Sequence, residues 1–217
     1  MKIKEFILYT QNLEKQTKFY SMDLGLKIRH QDEKRCSFNA GKSILTFEVS
    51  ENSTPYHFAL NIPSNKDEEA HTWLKQRVEL LNFEGKEIVN FESWNAKALY
   101  FYDADKNIVE FIARKNLNLN SPESFSSKSI LNISEIGIGT TTLKKTFDKI
   151  NSLKTIDLYS GNFDRFCALG NEEGMFILAN PTQKKWFPCN DTIQQSDFAI
   201  KGDYNFEFKN GSFIEIN

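Results

Sequence analysis

Four residues carry most of the chemistry this sequence could perform. His57, one of three histidines, opens the apolar run "HFALNI" directly after a Pro-Tyr turn, and Glu5 opens the run "EFILYT". Glu48 lies inside "ILTFEVS" and Glu110 inside "NIVEFIAR". A carboxylate on a buried strand face is costly unless something neutralises it. Three carboxylates and an imidazole gathered in one place would repel one another without a cation. An oxygen-rich set with one nitrogen suits Zn, Ni, Mn, Fe or Mg as the divalent ion, and ligand type does not choose among them. It is not the two-histidine, one-carboxylate triad of non-haem iron oxygenases. A single histidine on an apolar strand is most often an ordinary core residue, so the weight rests on whether the four occupy equivalent places.

The elements that would position them repeat. "EFILYTQNLEKQTKFY" and "HFALNIPSNKDEEAHTWL" each begin with an ionisable residue, continue as an apolar strand, turn, and become an amphipathic helix. Ser64 reads as the N-cap of the second helix, with acidic residues in its first turn as the helix dipole favours. Three strand-like runs follow each helix: "LKIRHQ", "RCSFNAG" and "SILTFEVS", then "KEIVNFES", "KALYFYDA" and "NIVEFIAR". The order strand, helix, strand, strand, strand therefore occurs twice, as modules 1–50 and 56–114 of one unit, residues 1–115. The two first strands supply Glu5 and His57, and the two last strands supply Glu48 and Glu110. The polar stretch 116–129 reads as a linker. Residues 130–217 read as a shortened, degenerate second copy, since "EIGIGTTTLKKTFDKI" parallels the first strand and helix while "DFAIKGDYNFEFKNGSFIEIN" lacks its helix. Its equivalents of the four residues are Glu135, Ala179, Asp197 and Glu215, a set expected to form no competent second site. The fold class expected is α+β with paired βαβββ modules.

"MKIKEFILYTQNLEKQTKFYSMDLGLKI" and "YFYDADKNIVEFIAR" resemble the two ends of a vicinal oxygen chelate domain, the superfamily of glyoxalase I, bleomycin-resistance proteins and extradiol dioxygenases. The resemblance implies that two βαβββ units close a half-barrel around a divalent metal, with Glu5, Glu48, His57 and Glu110 as its ligands. It further implies that the metal chelates neighbouring substrate oxygens and stabilises negative charge on them as a Lewis acid. A ligand glutamate would serve as catalytic base, Glu110 or Glu5. The function the resemblance implies is that of a glyoxalase-like enzyme of lyase or isomerase type acting on a small oxygenated substrate; the single histidine argues against an extradiol dioxygenase. The alternative is a binding protein for a drug or metabolite, as bleomycin-resistance proteins are, in which Tyr9, Phe47 and Tyr100 would line the cavity and matter more than the acids. Trp94 and Asn95 are further cavity candidates. The chain departs from the pattern in having glutamate as first ligand, and in the turn "DADKN", where Lys106 replaces a usual glycine and Asn107 is expected to tolerate left-handed geometry.

The 217 residues carry a formal net charge of −2 with 19 phenylalanines. Acidic and basic residues are mixed along the chain, which argues against nucleic acid or an anionic membrane as partner. "MKIKEFILYT" has no long apolar segment and reads as neither a signal peptide nor a membrane span. The three cysteines, Cys36, Cys167 and Cys189, form no CxxC pair and suit reduced thiols in a cytoplasmic protein. Two copies in one chain imply a monomer with pseudo-dimeric halves, or a homodimer.

Overall fold

The computed structural model describes residues 1–216. Every module begins with a strand whose alternate residues are large and apolar, so that one face of each sheet packs inward. The first module comprises β1 (Ile3–Thr10), α1 (Leu13–Lys18), β2 (Ile28–Gln31), β3 (Arg35–Ala40) and β4 (Ser43–Val49). The second comprises β5 (His57–Ile62), α2 (Asp67–Lys75), the short β6 (Leu80–Leu81) and β7 (Val89–Phe91), β8 (Ala96–Tyr102) and β9 (Ile108–Arg114). The third comprises β10 (Asn132–Gly139), α3 (Leu143–Leu153), β11 (Leu158–Asn162), β12 (Phe166–Asn171) and β13 (Gly174–Ala179). The fourth is the meander β14 (Phe198–Gly202), β15 (Phe206–Lys209) and β16 (Ser212–Glu215), with no helix. This is an α+β architecture of βαβββ modules.

The modules pair crosswise. One sheet runs β16-β15-β14-β1-β4-β3-β2, joining the fourth module to the first, and the other runs β11-β12-β13-β10-β5-β9-β8-β6, joining the third to the second. The seams are antiparallel: Ile7 faces Ala199 across β1 and β14, and Glu135 faces Ala59 across β10 and β5. Phe6, Phe58, Phe111, Phe176 and Phe198 fill a core shared by both sheets. The pairs Phe6–Phe58 and Phe6–Phe198 meet edge-on at 5.7 and 5.6 Å between ring centroids, a geometry that suits the ring quadrupoles.

Several local expectations change. The stretch 116–129 is anchored on α2: Asn65 and Ser121 exchange two hydrogen bonds of 3.0 Å, and Phe125 packs edge-on against Trp73. Ser64 caps no helix; its hydroxyl donates to the Arg114 carbonyl at 2.6 Å, and the residue before α2 is Lys66. In the "DADKN" turn Lys106, not Asn107, takes the left-handed conformation, with φ 64°. Asn107 is held instead by its side chain, which accepts from the Tyr56 amide and donates to Asp103, each at 2.8 Å.

Candidate metal centre

Strand parity fixes which side chains can meet. On β5 the residues His57, Ala59 and Asn61 share one face, and on β9 Ile108, Glu110, Ile112 and Arg114 share one face. Register then sets depth: Glu110 lies beside Ala59, two residues beyond His57. On the antiparallel neighbour β10 the matching face carries Glu135, which also lies beside Ala59. His57, Glu110 and Glu135, all buried, thus offer one donor atom each, within 4.8 Å of one another.

The structure does not bring Glu5 and Glu48 to this group. Both lie in the other sheet, where Arg35 of β3 is ion-paired to Glu5 and reaches Glu48 at 3.1 Å. Lys201 stands 3.5 Å from Glu5, and the Thr46 hydroxyl donates to Glu5 at 2.8 Å. A guanidinium does there what a cation was expected to do. Register explains the misplacement of Glu48. Glu48 is paired with Tyr9, four residues after Glu5, whereas the residue beside Ile7 is Thr46; Thr46 therefore corresponds to Glu110. A slip of two residues keeps the face and moves the side chain about 6.6 Å along the strand. By the same register Ile177, beside Gly137, is the true counterpart of Glu110 in the third module rather than Ala179. Ala199 rather than Asp197 is the counterpart of His57 in the fourth. The last strand β16 pairs only with β15, which leaves Glu215 exposed at the sheet edge.

The cavity candidates divide likewise. Tyr100 and Trp94 line a cavity of about 260 Å³ together with His57, Glu110 and Glu135. Tyr9 belongs to the other sheet, where its hydroxyl donates to Glu207 at 3.0 Å. Phe47 points away from Thr46 and Glu48 into the core beside Tyr20, a consequence of strand alternation. Asn95 takes a left-handed turn and donates from its side chain to Asn116 at 2.7 Å.

Four contributors to the site were missed: Glu135, Arg114, Lys184 and Trp186. Glu135 heads "EIGIG" as His57 heads "HFALNI", a signal open to the repeat comparison. Arg114 follows Glu110 by four residues and so shares its strand face. It is fully buried, ion-paired to Glu135, and donates from Nε to Asn61 at 3.2 Å, while its Nη1 finds no partner. Trp186 comes from the segment 180–197 between β13 and β14, and its ring lies 5.0 Å from that of His57. Two glycines of β10 make room for that segment. A Cβ on Gly137 would stand 2.8 Å from the Trp186 ring, and one on Gly139 only 2.4 Å from the Gln194 carbonyl.

The electrostatics separate the three donors. Burial, opposed by a weak 3.3 Å contact to the Ile108 carbonyl, pushes the His57 pKa down to about 4, so its ring is neutral and Nε2 can ligate. Burial and then the Glu135 charge push Glu110 well above the ordinary carboxylate range, against the pull of Arg114 and a Tyr100 hydrogen bond. Burial raises Glu135 too, but the Arg114 guanidinium opposes it directly. Within 4.0 Å, Glu110 has only His57, at 3.6 Å, as a basic partner among the described residues. A divalent ion bound at about 2.1 Å needs its donors roughly 3 to 4.2 Å apart. A contraction of less than an ångström would therefore close these three around one, and the apolar Ile177 leaves its remaining positions open. The donor set fits a metal.

No known family's sequence model matches the chain, and no curated protein matches it by sequence. Solved structures do. A putative dioxygenase from Bacillus subtilis subsp. subtilis str. 168 superposes with TM-score 0.61 at 15% identity, over 82% of this chain and 63% of its own length. The V278E mutant of glyoxalase I from Zea mays superposes with TM-score 0.57 at 14% identity, over 92% of this chain and 73% of its own. Another structure of glyoxalase I from Zea mays gives 0.53 at 15% identity, over 82% and 66%. At such identities the likeness is one of fold, the fold of glyoxalase I. The chain spans less than two thirds of the Bacillus protein. No helix among the described residues is long and apolar enough to cross a membrane.

Proposed function

We propose that this chain is a glyoxalase-like, metal-dependent enzyme of lyase or isomerase type, acting on a small oxygenated molecule at a divalent cation held by His57, Glu110 and Glu135. The observation that carries this reading is the meeting of three buried donor atoms at the wall of a cavity. When bound, the cation supplies Lewis-acid polarisation of substrate oxygens. Glu110 faces the cavity beside the Tyr100 hydroxyl and carries the proton moved in the reaction, which its raised pKa suits. Glu135 is the more readily ionised of the two, because Arg114 is bound to it and Asn61 fixes Arg114 in turn. Two carboxylates in unlike surroundings thereby take unlike roles.

Metal analysis of the purified protein tests this. Near-stoichiometric divalent transition metal, lost in His57→Ala, is the expected result. A protein that takes up no metal under any loading condition would overturn it.

A further inference from the structure

We infer that the cavity beside the metal centre selects a small aromatic carboxylate, with the acid group held by Lys184 and the ring held between Trp94, Tyr100, Trp186 and Phe187. This deepens the function proposed above and rests on that cavity being its substrate site.

Size comes first. An apolar cavity of about 150 Å³ takes benzene, so one of about 260 Å³ has room for a single ring with a small substituent, such as benzoate. Shape follows from the walls. Trp94 and Tyr100 come from the second module, and Trp186 and Phe187 from the segment between β13 and β14. The Phe187 and Tyr100 rings meet edge-on at 5.5 Å between centroids. Flat walls of this kind favour a flat ring over a branched chain.

Charge decides the remaining group. Lys184 lines the cavity half-buried, its ammonium 4.9 Å from the Phe166 ring centroid. Among the described residues no carboxylate lies within 4.0 Å of it, whereas the other cation beside this site, Arg114, is ion-paired to Glu135. Exposed Arg165, whose charge also acts on it, is cationic as well. Burial and that neighbour both work against the Lys184 ammonium, and an anion would relieve both.

Benzoate and its neutral isostere benzamide are the probes, with binding followed by calorimetry and by tryptophan fluorescence on metal-loaded and chelator-treated protein. We expect benzoate to bind about tenfold or more tightly than benzamide in both forms. Lys184→Gln should reduce that preference to within about twofold, and Lys184→Arg should keep it. Equal binding of the two probes, binding of neither, or a preference untouched in Lys184→Gln would overturn the inference; in the last case the carboxylate is held by the metal alone. The two readings fail separately. Metal lost in His57→Ala with no role for Lys184 sinks only this one, and a Lys184-dependent preference in a protein that binds no metal sinks only the metal centre.

Discussion

Glu48 and Glu135 are both strand glutamates facing the concave side of a sheet, and their surroundings give them opposite work. Arg35 pairs with Glu48 in a sheet that, among the described residues, brings no histidine to it, while Glu135, though ion-paired to Arg114, shares a buried wall with His57 and Glu110. Glu135→Gln should weaken metal binding by about tenfold or more, and Glu48→Gln should leave it within about twofold. Equal losses, read by metal titration against a fluorescent chelator, would remove Glu135 from the site. His57 supplies a pH test in metal-free protein. Its folded pKa, about 4, lies below the ordinary histidine value of 6.5, so between the two the unfolded chain binds the extra proton. The neutral ring's contribution is fully present above pH 6.5 and is lost as pH falls toward 4, a loss of about 3 kcal/mol. Chemical denaturation at pH 7 and pH 4 should show wild type losing about that much more than His57→Gln. An identical pH slope in the two proteins would show that the ring is not buried neutral.

At the scale of elements, the segment between β13 and β14 covers the concave face of β10 only because that strand carries glycine at 137 and 139. Neither glycine has a positive φ, so the constraint is space and not backbone conformation. Gly139→Ala places a Cβ against a backbone carbonyl, which a side-chain rotation cannot relieve. It should lower stability by about 1–3 kcal/mol and shift the Trp186 environment. Thermal melts with tryptophan fluorescence read both, and an unchanged spectrum would mean the segment does not rest on β10. Asp103 ties α1 to the turn between β8 and β9. Its carboxylate accepts from Gln16 at 3.0 Å, Tyr20 at 2.9 Å and Asn107 at 2.8 Å. Asp103→Ala strands those buried donors and should cost about 3 kcal/mol or more by urea denaturation.

At the scale of the whole molecule, the C-terminal half lies along the N-terminal half strand by strand. β14 occupies the free edge of β1, and β10 that of β5. A chain ending at Arg114 would expose both first strands as unpaired edges beside apolar surface, and leave Arg114 without Glu135. It should dimerise or aggregate on size exclusion at micromolar concentration, and a stable monomer there would contradict the dependence of one half on the other.

The sequence by itself determined the order of strands and helices, the fourfold repeat, and which residues of a strand share a face, because those depend on periods of 2 and 3.6 residues that are local. It placed His57, Glu110, Trp94 and Tyr100 on faces that do meet at one cavity. Which edge joins which was decided only in three dimensions. β5 could take β1 or β10 as its antiparallel neighbour with the same alternation, and the choice depends on hydrogen bonding between segments far apart in the chain. Choosing β10 brings in Glu135 and leaves Glu5 and Glu48 with Arg35. Depth along a strand was hidden for a related reason: a slip of two residues preserves every facing, so Thr46 and Glu48 read alike until β4 is laid against β1. Arg114 and Lys184 were hidden because a basic residue in a sequence does not say whether an acid will stand beside it. Packing gave Arg114 the carboxylate of Glu135 and left Lys184 facing the cavity with no acid within reach.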